Sequence, residues 1–208
     1  MEQLSLFDAD DHYQFPTDLL DYRQNFLSDD EAYDLMNTLL KDTPWVQTSQ
    51  KMYDKILTTP RLIAWFSDLS KFSQDDKRLV DFNEWTPELL QLKEKIEAVC
   101  GESFNAVLLN LYRNENDSVA WHKDKQDKFK KKPVIASVSL GQTRDFDFRK
   151  VGESKKSYSL PLHNGSLLIM KADLHTAWEH RIAKTRIAMQ PRINLTFRTI
   201  SINNLLNH

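Results

Sequence analysis

Arg192-Ile193-Asn194-Leu195-Thr196-Phe197-Arg198 alternates polar and apolar side chains without a break. A period of two belongs to a β-strand, and it sets Ile193, Leu195 and Phe197 on one face and Arg192, Asn194, Thr196 and Arg198 on the other. The apolar face calls for a core. The opposite face lines up two guanidiniums and an amide, which are costly to bury without an anionic partner. Two readings stay open: an outer strand whose polar face meets solvent, or a pocket whose Arg forks each take a carboxylate in bidentate fashion.

Upstream, Phe104-Asn105-Ala106-Val107-Leu108-Leu109-Asn110-Leu111-Tyr112 is largely apolar on both faces and reads as a buried strand. Asn110 and Tyr112 share a face at its exit, and a buried amide and phenol need partners. Soon after comes Trp121-His122-Lys123-Asp124. In an extended segment His-x-Asp puts imidazole and carboxylate on the same side, about 7 Å apart along the backbone, close enough to share a cation. The facial triad of non-haem iron(II) enzymes needs a second histidine. His163, His175 and His180 are available, and spacing alone does not choose between His175 and His180.

Other chemistries lack their signatures. There are no Cys pairs and no His-Glu-x-x-His for zinc, no Gly-x-Ser-x-Gly elbow, no Gly-x-Gly-x-x-Gly and no phosphate-binding loop.

The rest of the chain frames these strands. The first 25 or so residues read as a loose arm. Ser28 with Glu31 forms a capping box for a helix carrying Ala32, Leu35, Met36, Leu39 and Leu40, which Pro44 stops. Thr86-Pro87 opens a second helix through Leu89, Leu92, Ile96 and Val99, closed by Gly101. Between them, residues 45–85 are irregular and aromatic. From Phe104 short strands follow near 104–112, 134–140, 144–149, 157–162, 166–171, 185–190 and 192–200, with a tight turn at Asn164-Gly165. Helices followed by many short strands predict an α+β fold with a jelly roll or barrel.

The 208 residues suit one domain with a real core, and 40% hydrophobic with 28% charged is an ordinary globular composition. One cysteine, Cys100, excludes an intrachain disulfide and suits a reducing compartment. The start lacks a signal-peptide pattern, and no apolar run approaches the roughly 20 residues of a membrane span. A soluble, cytoplasmic protein is expected. Net charge is −2, yet six lysines crowd residues 123–132 beside the candidate metal site. That run reads either as a solvated loop or as a basic lip for phosphates.

Taken in order, several blocks resemble the AlkB family of nucleic-acid dealkylases. They are Asn110-Leu-Tyr112; His122-x-Asp124; Ile135-Ala-Ser-Val-Ser-Leu-Gly141 with Arg144-Asp-Phe-x-Phe-Arg149; Leu160-Pro-Leu-x-Asn-Gly-Ser-Leu-Leu168; and Pro191-Arg-Ile-Asn-Leu-Thr-Phe-Arg198. Thr59-Pro60-Arg61-Leu62 is similar to the family's nucleotide-recognition region. The resemblance implies a double-stranded β-helix core over 104–208, a helical segment and nucleotide-recognition lid over 26–103, and an N-terminal arm over 1–25, in one compact domain. It implies iron(II) held by His122, Asp124 and His180. Arg192 follows His180 by twelve residues, as in the family, and His175 does not fit that register. It further implies that Asn110, Tyr112, Arg192, Asn194 and Arg198 bind 2-oxoglutarate.

The implied reaction is oxidative: Fe(II), 2-oxoglutarate and O₂ hydroxylate an alkyl carbon on a damaged base of the 1-methyladenine or 3-methylcytosine type. Succinate, CO₂ and formaldehyde are released. The base must be flipped out or presented on a single strand of DNA or RNA. Arg61, Trp65, Phe66, Phe72, Phe82, Lys125 and Gln126 are the substrate-contact candidates, on a chain expected to act as a monomer in the cytoplasm, or the nucleus of a eukaryote. One departure stands out: many relatives have an acidic residue where this chain has Gln126, so lesion preference is open. The alternative is the same chemistry on a protein side chain or small molecule.

Overall fold

A computed structural model describes residues 16–52, 55–68, 82–124, 134–171 and 173–200. The two helices begin where their caps predict. α1 spans Asp29–Asp42, with Ser28 and Glu31 exchanging both capping-box hydrogen bonds. α2 spans Pro87–Cys100, capped by the Thr86 hydroxyl and ended by Gly101 at φ 70°.

Thirteen strands are described. They are β1 (Leu20–Arg23), β2 (Ser49–Met52), β3 (Lys55–Thr58), β4 (Leu62–Ser67), β5 (Phe82–Asn83), β6 (Ala106–Tyr112), β7 (Val119–His122), β8 (Ile135–Gly141), β9 (Arg144–Lys150), β10 (Tyr158–Leu162), β11 (Ser166–Met170), β12 (Trp178–Ile182) and β13 (Arg192–Arg198). A one-turn helix, α3 (Leu174–Ala177), precedes β12. The larger sheet has seven strands in the order β1-β11-β8-β13-β6-β4-β5, the smaller has four in the order β10-β9-β12-β7, and β2 and β3 pair separately.

β13, with its alternating polar and apolar residues, lies at the middle of the larger sheet, between β6 and β8. Its register opposes Asn194 to Asn110 on one side and to Ser139 on the other. Ile193, Leu195 and Phe197 therefore face the way Leu109, Leu111, Val138 and Leu140 do, and α1 and α2 close that face with Ala32, Leu39, Leu89, Leu92 and Ile96. The polar face turns instead toward the smaller sheet. Phe146, Phe148, Trp178 and Ile182 pack there with Tyr112, Leu168 and Met170 in a second core. Each core group is buried, and at about 1.5–3 kcal/mol per large apolar side chain the two layers hold the sheets together.

Two strand expectations need correction. Residues 185–190 form no strand; Ile187 there is 71% exposed. The strand is β12 instead, with Trp178, His180 and Ile182 inward and Glu179 and Arg181 less buried. The stretch read as irregular contains β4, whose Ala64 and Phe66 enter the helix-covered core. β1 and β4 both join the larger sheet, so strands from either side of the expected boundary at 103 share one layer. Residues 1–15 of the expected arm lie outside the described residues.

Candidate active site

β7 and β12 are neighbours, and their register sets His122 directly opposite His180. The two imidazole centroids are 4.4 Å apart. Asp124, just past the end of β7, brings Oδ2 to 3.4 Å from His180 Nε2. One ligating atom from each of the three residues lies within 4.8 Å of the others.

Protonation suits a cation. His122 Nδ1 sits 2.8 Å from the Ala120 carbonyl, so a proton there donates to it and Nε2 keeps its lone pair. Burial is the leading effect on His180 and lowers it to about 3, leaving the neutral, ligating ring, although Asp124 pulls the other way. Burial pushes the Asp124 carboxyl up, but the Arg198 guanidinium and the surrounding imidazoles outweigh it, and the group lies well below the usual carboxylate range. Arg198 Nη2 donates to Asp124 Oδ1 at 3.1 Å. Two imidazoles and one carboxylate form the donor set of a facial triad.

The other two described histidines fall outside it. His163 Nδ1 is 3.5 Å from the Thr143 hydroxyl, beside the Asn164-Gly165 turn. His175 is 3% exposed, with its ring centroid 6.4 Å from that of His180 and neither nitrogen partnered.

Arg192 defines the other end of the cavity. It is 1% exposed, its Nη2 donates to Ser139 Oγ at 2.9 Å, and Nε and Nη1 have no partner. Its guanidinium carbon lies 5.3 Å from the Tyr112 ring centroid. Burial pulls its pKa down to about 10, which leaves it charged at neutral pH. Unpaired donors on a buried cation are costly, so the site is built for an anion. Arg198 Nε is likewise unpartnered. Both arginines, with Asn110 and Tyr112, line the same cavity as the triad, about 500 Å³ including its mouth. Such a set of donors fits a dicarboxylate.

Asn194 lines the cavity too, and its amide is held by neighbours within the protein. Its Nδ2 donates to Ser137 Oγ and to the Val138 carbonyl, and its Oδ1 accepts from Thr196. Ser137 and Ser139 were not singled out by the sequence reading. Their signal was there: in Ile135-Ala-Ser-Val-Ser-Leu-Gly141 the small hydroxyls recur every second residue, which places both on the cavity face.

The substrate-contact candidates divide. Arg61 lines the cavity and bonds Asn110 through Nε at 2.7 Å. Trp65 lies under the Arg198 guanidinium at 5.5 Å and 5.6 Å from the Phe82 ring. Phe66 points the other way along β4 and is 2% exposed in the helix-covered core, so strand alternation removes it from the cavity. Phe72, Lys125 and Gln126 lie outside the described residues, as does most of the lysine run.

A jelly roll bringing two histidines, one carboxylate and two arginines to a single cavity is the architecture of a non-haem iron oxygenase that takes a 2-oxo acid. The chain belongs to the 2OG-Fe(II) oxygenase superfamily, whose family model matches residues 20–198, and within it to the AlkB family. It is 40% identical over 178 residues to the alpha-ketoglutarate-dependent dioxygenase alkB homolog 3 of Bos taurus, covering 82% of this chain and 62% of that one. The human alkB homolog 3 is 38% identical over 183 residues, covering 84% and 64%. The human DNA oxidative demethylase ALKBH2 is 33% identical over 157 residues, covering 72% and 60%. The chain thus spans under two thirds of the length of these relatives. Among solved structures, OsALKBH1 matches with a TM-score of 0.62 at 20% identity, covering 89% of this chain and all of that one. A Pseudomonas putida prolyl-4-hydroxylase shares the fold at a TM-score of 0.52 and 11% identity, covering 88% and 94%. No described helix is long and apolar enough to cross a membrane.

Proposed function

We propose that this chain oxidatively dealkylates N-alkylated bases, of the 1-methyladenine or 3-methylcytosine type, in DNA or RNA. The observation that carries the reading is Arg192: a buried guanidinium with two unpaired nitrogens, in the same cavity as the His-Asp-His set. The likeness to a DNA oxidative demethylase supports the nucleic-acid substrate.

His122, Asp124 and His180 would hold Fe(II). Arg192, Arg198, Asn110, Tyr112 and Asn194 would receive 2-oxoglutarate, with the Asn194 amide held by Ser137, Val138 and Thr196. Bound iron and 2-oxoglutarate supply, with O₂, the oxidising equivalent for the alkyl carbon, and succinate and CO₂ are the co-products. The chain's own part is placement and exclusion. The Ala120 carbonyl orients the His122 ring, and Arg198 keeps Asp124 ionised and aimed at the triad. Leu108, Val119, Phe146 and Ile182 line the cavity and limit water near the site. Hydroxylation of the carbon attached to the base nitrogen gives an N-hydroxymethyl group, whose C–N bond breaks to release formaldehyde and restore the base.

The lesion reaches such a site only when flipped out or single-stranded, at a few kcal/mol that a lesion unable to pair reduces. Trp65 and Phe82 are the described aromatics able to offset it, at about 1–3 kcal/mol per stacked base. A monomer working in the cytoplasm or nucleus goes with this reading, and the lone Cys100 suits that reducing setting.

The test loads the protein anaerobically with Fe(II) and 2-oxoglutarate, admits O₂, and supplies an oligonucleotide carrying 1-methyladenine or 3-methylcytosine. Restored base together with formaldehyde is expected. Succinate without either product would turn the assignment to a protein side chain or small molecule.

A further inference from the structure

Arg61 lies just before β4, where Ile63 opposes Asn110 of β6. Its Nε donates to Asn110 Oδ1 at 2.7 Å, and its Nη1 reaches the Ser118 carbonyl at 3.4 Å. Ser118 N in turn donates to the Pro60 carbonyl at 2.9 Å. Arg61 is therefore tied at both ends to the chain leading into β7.

A primary amide has one accepting and one donating end, and only its partners decide which way round it sits. A guanidinium can donate and never accept. The contact with Arg61 thus fixes the oxygen of Asn110 toward Arg61 and leaves Nδ2 for the cavity that Asn110 lines.

We infer that Arg61 is a positioning residue for the co-substrate, holding Asn110 with its NH₂ group turned to a carboxylate of 2-oxoglutarate. This rests on the proposed role of Asn110 in binding 2-oxoglutarate. Without Arg61 the amide is free to turn over and present its oxygen to the carboxylate, which repels it. A lysine keeps the charge but lacks the planar Nε–H that the geometry uses. The arginine expected to contact the nucleic-acid substrate is, on this view, part of the 2-oxoglutarate site.

Calorimetric titration of 2-oxoglutarate into the Mn(II)-loaded protein reads binding without turnover. Arg61→Met, Arg61→Lys and Asn110→Ala should each weaken binding about tenfold, the scale of one hydrogen bond to a charged group. The double variant Arg61→Met/Asn110→Ala should bind no more weakly than Asn110→Ala alone. In turnover, KM for 2-oxoglutarate should rise while kcat at saturation holds. Losses that multiply to about a hundredfold in the double variant would mean that Arg61 acts independently, and the inference fails. Near-normal binding by Arg61→Lys would mean that charge suffices, and it fails likewise. Weak binding by Asn110→Ala with normal binding by Arg61→Met sinks the inference and spares the assignment of Asn110. Normal binding by Asn110→Ala removes that assignment and the inference with it. Melting curves without 2-oxoglutarate confirm folding, and Arg61→Lys carries the test should Arg61→Met not fold.

Discussion

His122 and His180 stand directly opposite each other across the β7–β12 pair, with ring centroids 4.4 Å apart. Cross-strand pairing, not sequence proximity, makes the metal site, and the burial of His180 keeps its ring neutral before any ion arrives. Replacing His180 by Ala removes one of three ligands without touching the helix-covered core. Metal affinity should fall by at least about 100-fold, more than loss of an outer-sphere partner, and turnover should vanish. Mn(II) titration and succinate formation measure the two effects separately.

On the proposed assignment, Arg192 contributes in opposite directions with and without 2-oxoglutarate. Its unpaired nitrogens cost stability in the free protein, and an anion relieves that cost. Arg192→Met should leave the free protein's melting temperature unchanged or raised. It should also remove the stabilisation that 2-oxoglutarate gives the wild type. Losing one side of a buried charge pair costs about 2–5 kcal/mol, so KM for 2-oxoglutarate should rise by roughly 30-fold or more. Thermal shifts with and without 2-oxoglutarate, alongside the KM, check both signs.

Local signals were legible in the sequence where local physics decides the structure. The capping box at Ser28 and Glu31 fixed the start of α1, and the alternation from Arg192 marked the start of β13. β4 was hidden because both of its faces are covered: Ala64 and Phe66 meet the helices, while Trp65 lies against Arg198. A strand without a solvent face shows no alternation. β12 was hidden because an inward histidine interrupts its apolar face. The Arg61–Asn110 contact joins residues 49 apart through side chains, and no periodicity encodes it.

Asp117 anchors the loop that feeds β7. Its carboxylate accepts from the Arg113 backbone N–H and from the Arg113 guanidinium at 2.8 and 3.0 Å. Burial pushes its pKa up, but the Arg113 hydrogen bonds outweigh this and leave it below the ordinary 3.8. A lowered folded-state pKa adds stability that is complete above the unfolded value and lost as pH falls through the folded one. Asp117→Asn should therefore destabilise the protein by about 1–2 kcal/mol at neutral pH. Its deficit should shrink below about pH 4, where the wild type loses the same contribution. Urea midpoints from pH 7 to pH 2.5 follow that convergence.

Two glycines with left-handed backbone allow strain and crowding to be separated. Gly152 has φ 87° and open space where a Cβ would sit. Gly165, in the Asn164-Gly165 turn, has φ 70°, and a Cβ there would lie 2.8 Å from the Leu27 carbonyl oxygen. That oxygen belongs to a residue whose own N–H donates to the Gly165 carbonyl at 2.9 Å, so neither side can yield freely. Gly152→Ala should cost about 1–2 kcal/mol from backbone strain alone. For a chain of this size each kcal/mol lowers the melting temperature by roughly 2–4 °C. Gly165→Ala should fall further, because Leu27 must shift along with the start of α1. Equal melting temperatures for the two variants would show that the Leu27 contact does not constrain the β10–β11 turn.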